Sequence, residues 1–225
     1  MAGRCLLYYI TDRAQFSGDE RARRRALLDK ITEAARADVD YIQLREKDLS
    51  ARQLENLGSE CVEVIQRVRT ENLELETRLL INSRTDVALA AGADGVHLRS
   101  DDASVSNVRE IWKEAIARDS RLATRGSVVG VSCHSRAEIA RAESESADFA
   151  VFAPVFEKRD AQSTTPQGLS ALRAACAAKI AVLALGGVTL EDAHSCLAAG
   201  AAGIAGVRLF QENKIEDVVR ALRAL

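Results

Sequence analysis

The sequence predicts an α/β protein folded as a single-domain (β/α)8 TIM barrel spanning residues 1–225. Three observations carry that expectation. Short apolar runs alternate with longer stretches of helical period from one end of the chain to the other. A turn pattern recurs in RADVDYIQL (36–44), AGADGVHL (91–98), SADFAVFA (146–153) and AGAAGIAGV (199–207), where small residues close a helix and open an apolar run. No linker or low-complexity segment divides the chain. An open doubly wound sheet is the alternative, but no G-x-G-x-x-G follows the first strand.

The elements follow in order. CLLYYI (5–10) reads as the first strand, and Glu20 to Arg36 as the first helix. YIQL within the first repeat is the second strand; Ala51 to Glu71 follows as a helix. There Leu54, Leu57, Cys61, Val64, Ile65 and Val68 recur at three and four, the period of a helix with one buried face. RLLIN (78–82) leads into a helix over Arg84 to Ala91, and the second repeat supplies the fourth strand before Val105 to Ala117. VVGVS (128–132), the third repeat, IAVLAL (180–185) and the fourth repeat complete the strands. Helices over Arg136 to Ser144, Leu169 to Ala178, Thr189 to Ala199 and Lys214 to Leu225 complete the alternation. Runs of this length, without polar alternation, suit strands covered on both faces. Ser17 to Glu20 and Glu157 to Gln167 are the loosest stretches; the second, polar and rich in breakers, reads as a mobile loop over a site.

Composition excludes several classes of function. With 47% hydrophobic residues but only 4% aromatic, the core is built of Ala, Leu, Val and Ile. A formal charge of −2 offers no basic field for nucleic acid and no polybasic membrane patch. Cys5, Cys61, Cys133, Cys176 and Cys196 are scattered, with no C-x-x-C pair, which argues against a disulfide framework or a zinc site. The N-terminal apolar run is too short to span a membrane and lacks a small-residue cleavage pattern. The expectation is a cytoplasmic protein, free of nucleic acid and membrane.

In such a barrel, ligands meet the C-terminal ends of the strands. After the second strand, Gln43, Arg45 and Lys47 stand at alternate positions, so in extended chain they share one face. An arginine fork and a lysine point charge suit a polyphosphate, and a glutamine suits the edge of a heteroaromatic ring. The competing reading is a surface salt-bridge cluster along Arg45–Glu46–Lys47–Asp48. Asn82, after the third strand, orients a ligand or caps the next helix. Asp101 and Asp102, after the fourth, hold Mg2+ through one carboxylate plus substrate phosphate, or charge a helix N-terminus. His97 faces the barrel or a helix, where a structural role is the commoner case. Cys133–His134 lacks the geometry of a nucleophile and base, since adjacent side chains diverge; Ser132 is the better ligand hydroxyl. Gly186-Gly187 after the seventh strand and Gly206-Val207-Arg208 at the end of the eighth stand where these barrels bind phosphate.

Taken together, YYITDR (8–13), YIQLREKD (41–48), LLINSRTDVALAAGADGVHL (79–98), VVGVSCHS (128–135), ADFAVFAPVF (147–156) and ALGGVTLEDAHSCLAAGAAGIAGV (184–207) resemble the thiamine phosphate synthase family. That family shares its fold with the thiazole tautomerase TenI. The resemblance implies a transferase that joins hydroxymethylpyrimidine diphosphate to hydroxyethylthiazole phosphate and releases pyrophosphate. It implies that Gln43 meets the pyrimidine, Arg45 and Lys47 grip the diphosphate, and Asn82 helps hold the same ligand. Asp102 binds Mg2+, with Ser83 at the second metal position. Ser132 lies near the departing pyrophosphate. Gly187 and Val207 receive the thiazole phosphate on backbone amides. The chemistry it implies is dissociative: the C–O bond to diphosphate breaks first, and the thiazole nitrogen attacks the resulting carbocation. A homodimer is the expectation from fold relatives.

Three positions depart from the family pattern. Ser83 replaces the acid of Asn-Asp-Arg. The loop after the sixth strand lacks Pro-Thr-x-Thr-Lys, leaving Lys158 or Arg159 to supply charge and Thr164 or Thr165 the hydroxyls. Arg208 stands where a serine is usual. Two alternatives therefore accompany the synthase: a TenI-like tautomerase with His134 as the proton-transfer residue, and a non-catalytic phosphate-binding barrel.

Overall fold

Eight parallel strands close into a barrel in the order β1-β2-β3-β4-β5-β6-β7-β8. The computed structural model describes residues 4–119, 127–157 and 165–225. The strands are β1 (Leu6–Ile10), β2 (Tyr41–Leu44), β3 (Arg78–Asn82), β4 (Gly95–Leu98), β5 (Val128–Cys133), β6 (Phe149–Phe152), β7 (Ala181–Ala184) and β8 (Gly203–Gly206). Around them lie α1 (Glu20–Arg36), α2 (Ala51–Glu71), α3 (Thr85–Ala91), α4 (Val105–Arg118), α5 (Arg136–Ser144), α6 (Gly168–Ala175), α7 (Leu190–Ala198), a four-residue α8 (Arg208–Gln211) and α9 (Ile215–Arg223). The sequence pattern anticipates all of these except α8, which is too short to show a period. Among the described residues, no helix is long and apolar enough to cross a membrane.

Strand alternation separates two cores. Tyr8, Ile10, Leu80, Val128, Phe149, Val151, Leu183 and Ala205 fill the barrel interior, while their strand neighbours pack outward against the helices. In the interior, Tyr8 meets Phe149 edge-on at 5.2 Å, and Tyr41 lies 4.8 Å from the same ring. Gly130 leaves room for this cluster: a Cβ there would stand 2.5 Å from the Phe149 ring and 3.0 Å from His97 Nδ1.

The repeated turns have one physical basis. In each, a residue with φ between +58° and +103° (Asp38, Gly92, Ser146 or Gly200) ends a helix. The next amide then returns to the helix: Val39 to Ala34, Ala93 to Ala88, Ala147 to Ala142 and Ala201 to Cys196, at 2.9–3.1 Å. In three of the four, the following residue is an aspartate. Asp40 accepts the Leu7 amide at 2.7 Å, Asp94 the Leu79 amide at 2.8 Å, and Asp148 the Val129 amide at 2.7 Å. Each also pairs with an arginine, Arg223, Arg69 or Arg109 respectively. These acids tie each even strand to its odd neighbour at the N-terminal face, away from the barrel mouth. The fourth turn has Ala202 in that place.

Caps fix the mouth face. Ser50 and Gln53 form a capping box at α2, as do Thr189 and Asp192 at α7; Asp19, Ser104 and Ser135 each accept an amide at the start of α1, α4 and α5.

Candidate active site

Inward-facing polar residues gather where β2 to β5 end. Gln43, 2% exposed, donates from Nε2 to Asn82 Oδ1 at 2.8 Å, and Asn82 Nδ2 donates to Ser83 Oγ at 3.1 Å. The amide of Ser83 donates to the His97 carbonyl at 2.8 Å, so this row continues onto β4. Ser83 has φ +60°, and the Arg84 amide donates back to the Asn82 carbonyl across it at 2.8 Å. That tight γ-type turn is strained for a serine.

A second polar row crosses the barrel. His97 Nδ1 lies 3.0 Å from the Tyr8 hydroxyl, and Nε2 lies 2.8 Å from Ser132 Oγ. Burial, and then the charge of Arg45, push His97 down to about 3 against the opposing pull of Asp102. The ring is therefore neutral, with one donating and one accepting nitrogen. The row runs one way at a time: Tyr8 donates and Ser132 accepts, or Ser132 donates and Tyr8 accepts. The sequence left His97 between two orientations; it faces the barrel and both its nitrogens are satisfied.

The charged run after β2 resolves into two sets. Glu46 is buried and accepts from Thr11 Oγ1 at 2.6 Å, from the Arg13 amide at 3.0 Å and from Arg13 Nη1 at 3.2 Å. Asp48 takes Arg13 bidentately, Oδ1 from Nη1 at 2.7 Å and Oδ2 from Nη2 at 2.9 Å. Arg13 holds the Asp48 carboxyl below its ordinary range, and Asp48 is the first cause of the raised Arg13 value. Both acids are thus taken by Arg13, not by their cationic neighbours, so the cluster Arg45–Glu46–Lys47–Asp48 does not form. Among the described residues, neither Arg45 nor Lys47 makes a side-chain ion pair within 4 Å. Arg45 is half-buried, and its amide donates to Thr11 Oγ1 at 3.0 Å. Burial lowers its affinity for its proton, Asp12 and Glu46 oppose that, and the charge of Arg99 adds to it. Lys47 is exposed. Arg13 is the positioning residue that inspection of QLREKD missed; its signal lay in YYITDR, a motif with no role assigned to its arginine.

After β4, Asp102 accepts the Arg99 amide on Oδ2 at 2.7 Å and Arg99 Nε on Oδ1 at 3.4 Å. Asp101 accepts Arg99 Nη2 at 3.2 Å. After β5, His134 is exposed and its Nδ1 lies 2.8 Å from the Ala153 carbonyl, which also accepts Gln167 Nε2 at 3.1 Å. That carbonyl only accepts, so Nδ1 carries the proton and Nε2 is left as the basic nitrogen.

On the far side of the mouth, Gly187 has φ +67°, and a Cβ there would stand 2.3 Å from the Glu157 carbonyl. Packing against the loop after β6 therefore already requires this glycine. Val207 caps α8, and Arg208 pairs along that helix with Glu212 at 3.6 Å. Lys158, Arg159 and Thr164 lie outside the described residues; Thr165 is exposed at their edge.

The family model for thiamine monophosphate synthase matches residues 7–210, from β1 to α8. The chain belongs to the thiamine monophosphate synthase family. A protein of Geobacter sulfurreducens is 38% identical over 222 residues, covering 97% of this chain and 93% of its own. The thiamine-phosphate synthase of Syntrophomonas wolfei is 34% identical over 224 residues, covering 97% and 95%. Among solved structures, the thiamine phosphate pyrophosphorylase from Pyrococcus furiosus superposes with a TM-score of 0.74 at 27% identity, over 97% of this chain and 94% of that one. These family relatives match the chain from end to end, so the region of Ser83, Arg99 and Arg208 lies inside the likeness.

Proposed function

We infer that the protein is a thiamine-phosphate synthase, a transferase that moves a pyrimidinylmethyl group from diphosphate to the nitrogen of a thiazole phosphate. The single observation that carries the site assignment is the removal of Glu46 and Asp48 by Arg13. Among the described residues it leaves Arg45 and Lys47 without a side-chain ion pair, two and four positions after Gln43 of the buried amide row.

In this reading Gln43 and Asn82 orient the pyrimidine. Gln43 spends Nε2 on Asn82, so its Oε1 accepts from the ring's amino group. Arg45 and Lys47 bind the diphosphate and stabilise the charge that grows on it as the C–O bond breaks. Ser132, held by neutral His97, places its hydroxyl at the reacting centre. The thiazole phosphate lies against Gly187 and Val207, with Arg208 and Lys158 as further cations. Aligning the two substrates supplies much of the remaining acceleration.

Magnesium comes with the resemblance, through Asp102 and Ser83. The donor set fits a preformed metal site poorly. Among the described residues no three His, Cys, Asp or Glu side chains gather to hold a metal ion. Ser83 offers a neutral hydroxyl that already accepts from Asn82, and both oxygens of Asp102 are engaged by Arg99.

The test is to mix purified protein with both substrates and to follow pyrophosphate and thiamine phosphate together. Arg45→Ala is expected to lower kcat/KM about 100- to 1000-fold, the usual effect of removing one group that stabilises transition-state charge. Undiminished turnover in that variant would refute the assignment. His134 supports a second reading, the thiazole isomerase: its Ala153 contact fixes the tautomer a proton shuttle needs. Isomerisation without coupling, lost in His134→Ala, would establish it.

A further inference from the structure

The loop after β4 holds a guanidinium where the family reading requires a cation. Arg99 reaches both acids of its own loop, Asp101 through Nη2 at 3.2 Å and Asp102 through Nε at 3.4 Å. The two pairs differ in setting. Asp102 is 13% exposed and fixed by the Arg99 amide, whereas Asp101 is 70% and Arg99 59% exposed. Exposed pairs of this kind are weak, so the guanidinium is readily exchanged onto a stronger anion. Arg99 follows inward-facing His97 by two residues at the C-terminal end of β4, where the Ser83 amide bonds the His97 carbonyl. Arg99 thus stands at the mouth, by the row of Gln43, Asn82 and Ser83, and its charge acts on Arg45.

Magnesium prefers hard oxygen donors in near-octahedral geometry and gives up its water reluctantly. To bind here it would displace Arg99 from Asp102 and find a serine, already bonded to Asn82, in place of a second carboxylate. A planar arginine fork, in contrast, matches phosphate oxygens directly.

We propose that Arg99 takes the part of the metal: it rests on Asp101 and Asp102 in the free enzyme and transfers to the diphosphate when substrate binds. Arg45, Lys47 and Arg99 then hold the leaving group between them, and its binding requires no divalent cation. This rests on the synthase reading of the same site.

Isothermal titration of the full chain with inorganic pyrophosphate, once in EDTA and once in millimolar Mg2+, tests it. The wild type is expected to bind in EDTA within about 3-fold of its affinity in Mg2+. Arg99→Ala is expected to weaken binding in EDTA about 10- to 100-fold, the worth of a hydrogen bond to a charged group, with partial recovery in Arg99→Lys. Ser83→Asp combined with Arg99→Ala is expected to restore Mg2+ dependence, which loss of local structure would not do. Wild-type binding that appears only with Mg2+ would overturn the proposal. So would unchanged EDTA affinity in a folded Arg99→Ala, its fold checked by circular dichroism. Thiamine phosphate formation by the wild type, measured separately, distinguishes the two levels. Turnover together with Mg2+-dependent binding sinks only the role of Arg99; metal-free binding lost in Arg99→Ala, without turnover, sinks only the synthase reading.

Discussion

Replacing Arg13 with methionine keeps much of the side chain's volume and removes its charge. The cost is set by Glu46, whose side chain is 2% exposed, because the change strands a buried carboxylate. Breaking a buried ion pair from one side costs about 3–5 kcal/mol. Glu46 retains the Thr11 hydroxyl and the backbone amide of residue 13 as donors, so the lower end, about 3 kcal/mol, is expected. Glu20 and Asp48, 59% and 68% exposed, add at most about 1 kcal/mol each. For a chain of this size, 3 kcal/mol corresponds to a Tm lower by about 6–12 °C. Urea unfolding of Arg13→Met, Glu46→Gln and the double variant gives the cycle. The double variant is expected to recover about 2 kcal/mol, because the stranded charge is gone. The kinetic consequence follows from one chain of contacts: Glu46 holds Thr11, and Thr11 holds the Arg45 amide. The KM for the pyrimidine diphosphate is therefore expected to rise in Arg13→Met. A loss under about 1 kcal/mol, or strict additivity in the cycle, would refute the view that Arg13 neutralises this loop.

His97 is held near 3 in the folded protein but returns to an ordinary value near 6.5 on unfolding, so below about pH 6.5 the unfolded chain takes up a proton that the native ring refuses. Its contribution is a stability loss as pH falls from 6.5 toward 3, approaching about 1.4 kcal/mol per pH unit, and His97→Gln should flatten that slope in unfolding measured across the window. Gly130→Ala places a methyl against Phe149 and His97 and is expected to cost about 1–3 kcal/mol by denaturant unfolding. Ala202→Asp supplies the carboxylate that the fourth turn lacks, and a gain of about 0.5–1.5 kcal/mol is expected, with kcat unchanged because the turn lies on the face opposite the mouth; destabilisation would show that the three existing acids act through their arginines alone.

The barrel was legible because its elements are local. Four-residue apolar runs and helical periods need no knowledge of distant chain, and the turn repeat shows directly in the residue types. What the repeat did not reveal was why its aspartates are there. Asp40 meets Arg223 at a separation of 183 residues, Asp94 meets Arg69 at 25 and Asp148 meets Arg109 at 39. No window holds both partners, and the intervals share no period. The same limit hid Arg13, 33 residues from Glu46. The double glycine was legible as a turn but not in its cause, since the Glu157 carbonyl that excludes a side chain belongs to another βα loop. The inward face of Gln43 was legible for the opposite reason. Strand alternation alone fixes the face a residue shows once the strand is known.

The same pair of residue types serves two purposes in this barrel, and exposure decides which. Arg223 and Asp40 are each 18% exposed, and the acid also binds a strand amide. Separating them leaves a half-buried charge without its partner, so the contact persists and ties α9 to the turn before β2. Arg99 and Asp101 are 59% and 70% exposed, and water replaces either partner at little cost. A pair so weakly held adds little stability; in the proposed reading it keeps a guanidinium at the mouth until a polyanion outcompetes the carboxylates. Arg45 is left without an ion pair by another route, because Arg13 binds Glu46 and Asp48. One cation is held by a weak pair and the other makes none because a strong pair takes its neighbours, and in the proposed reading both are available to the same anion.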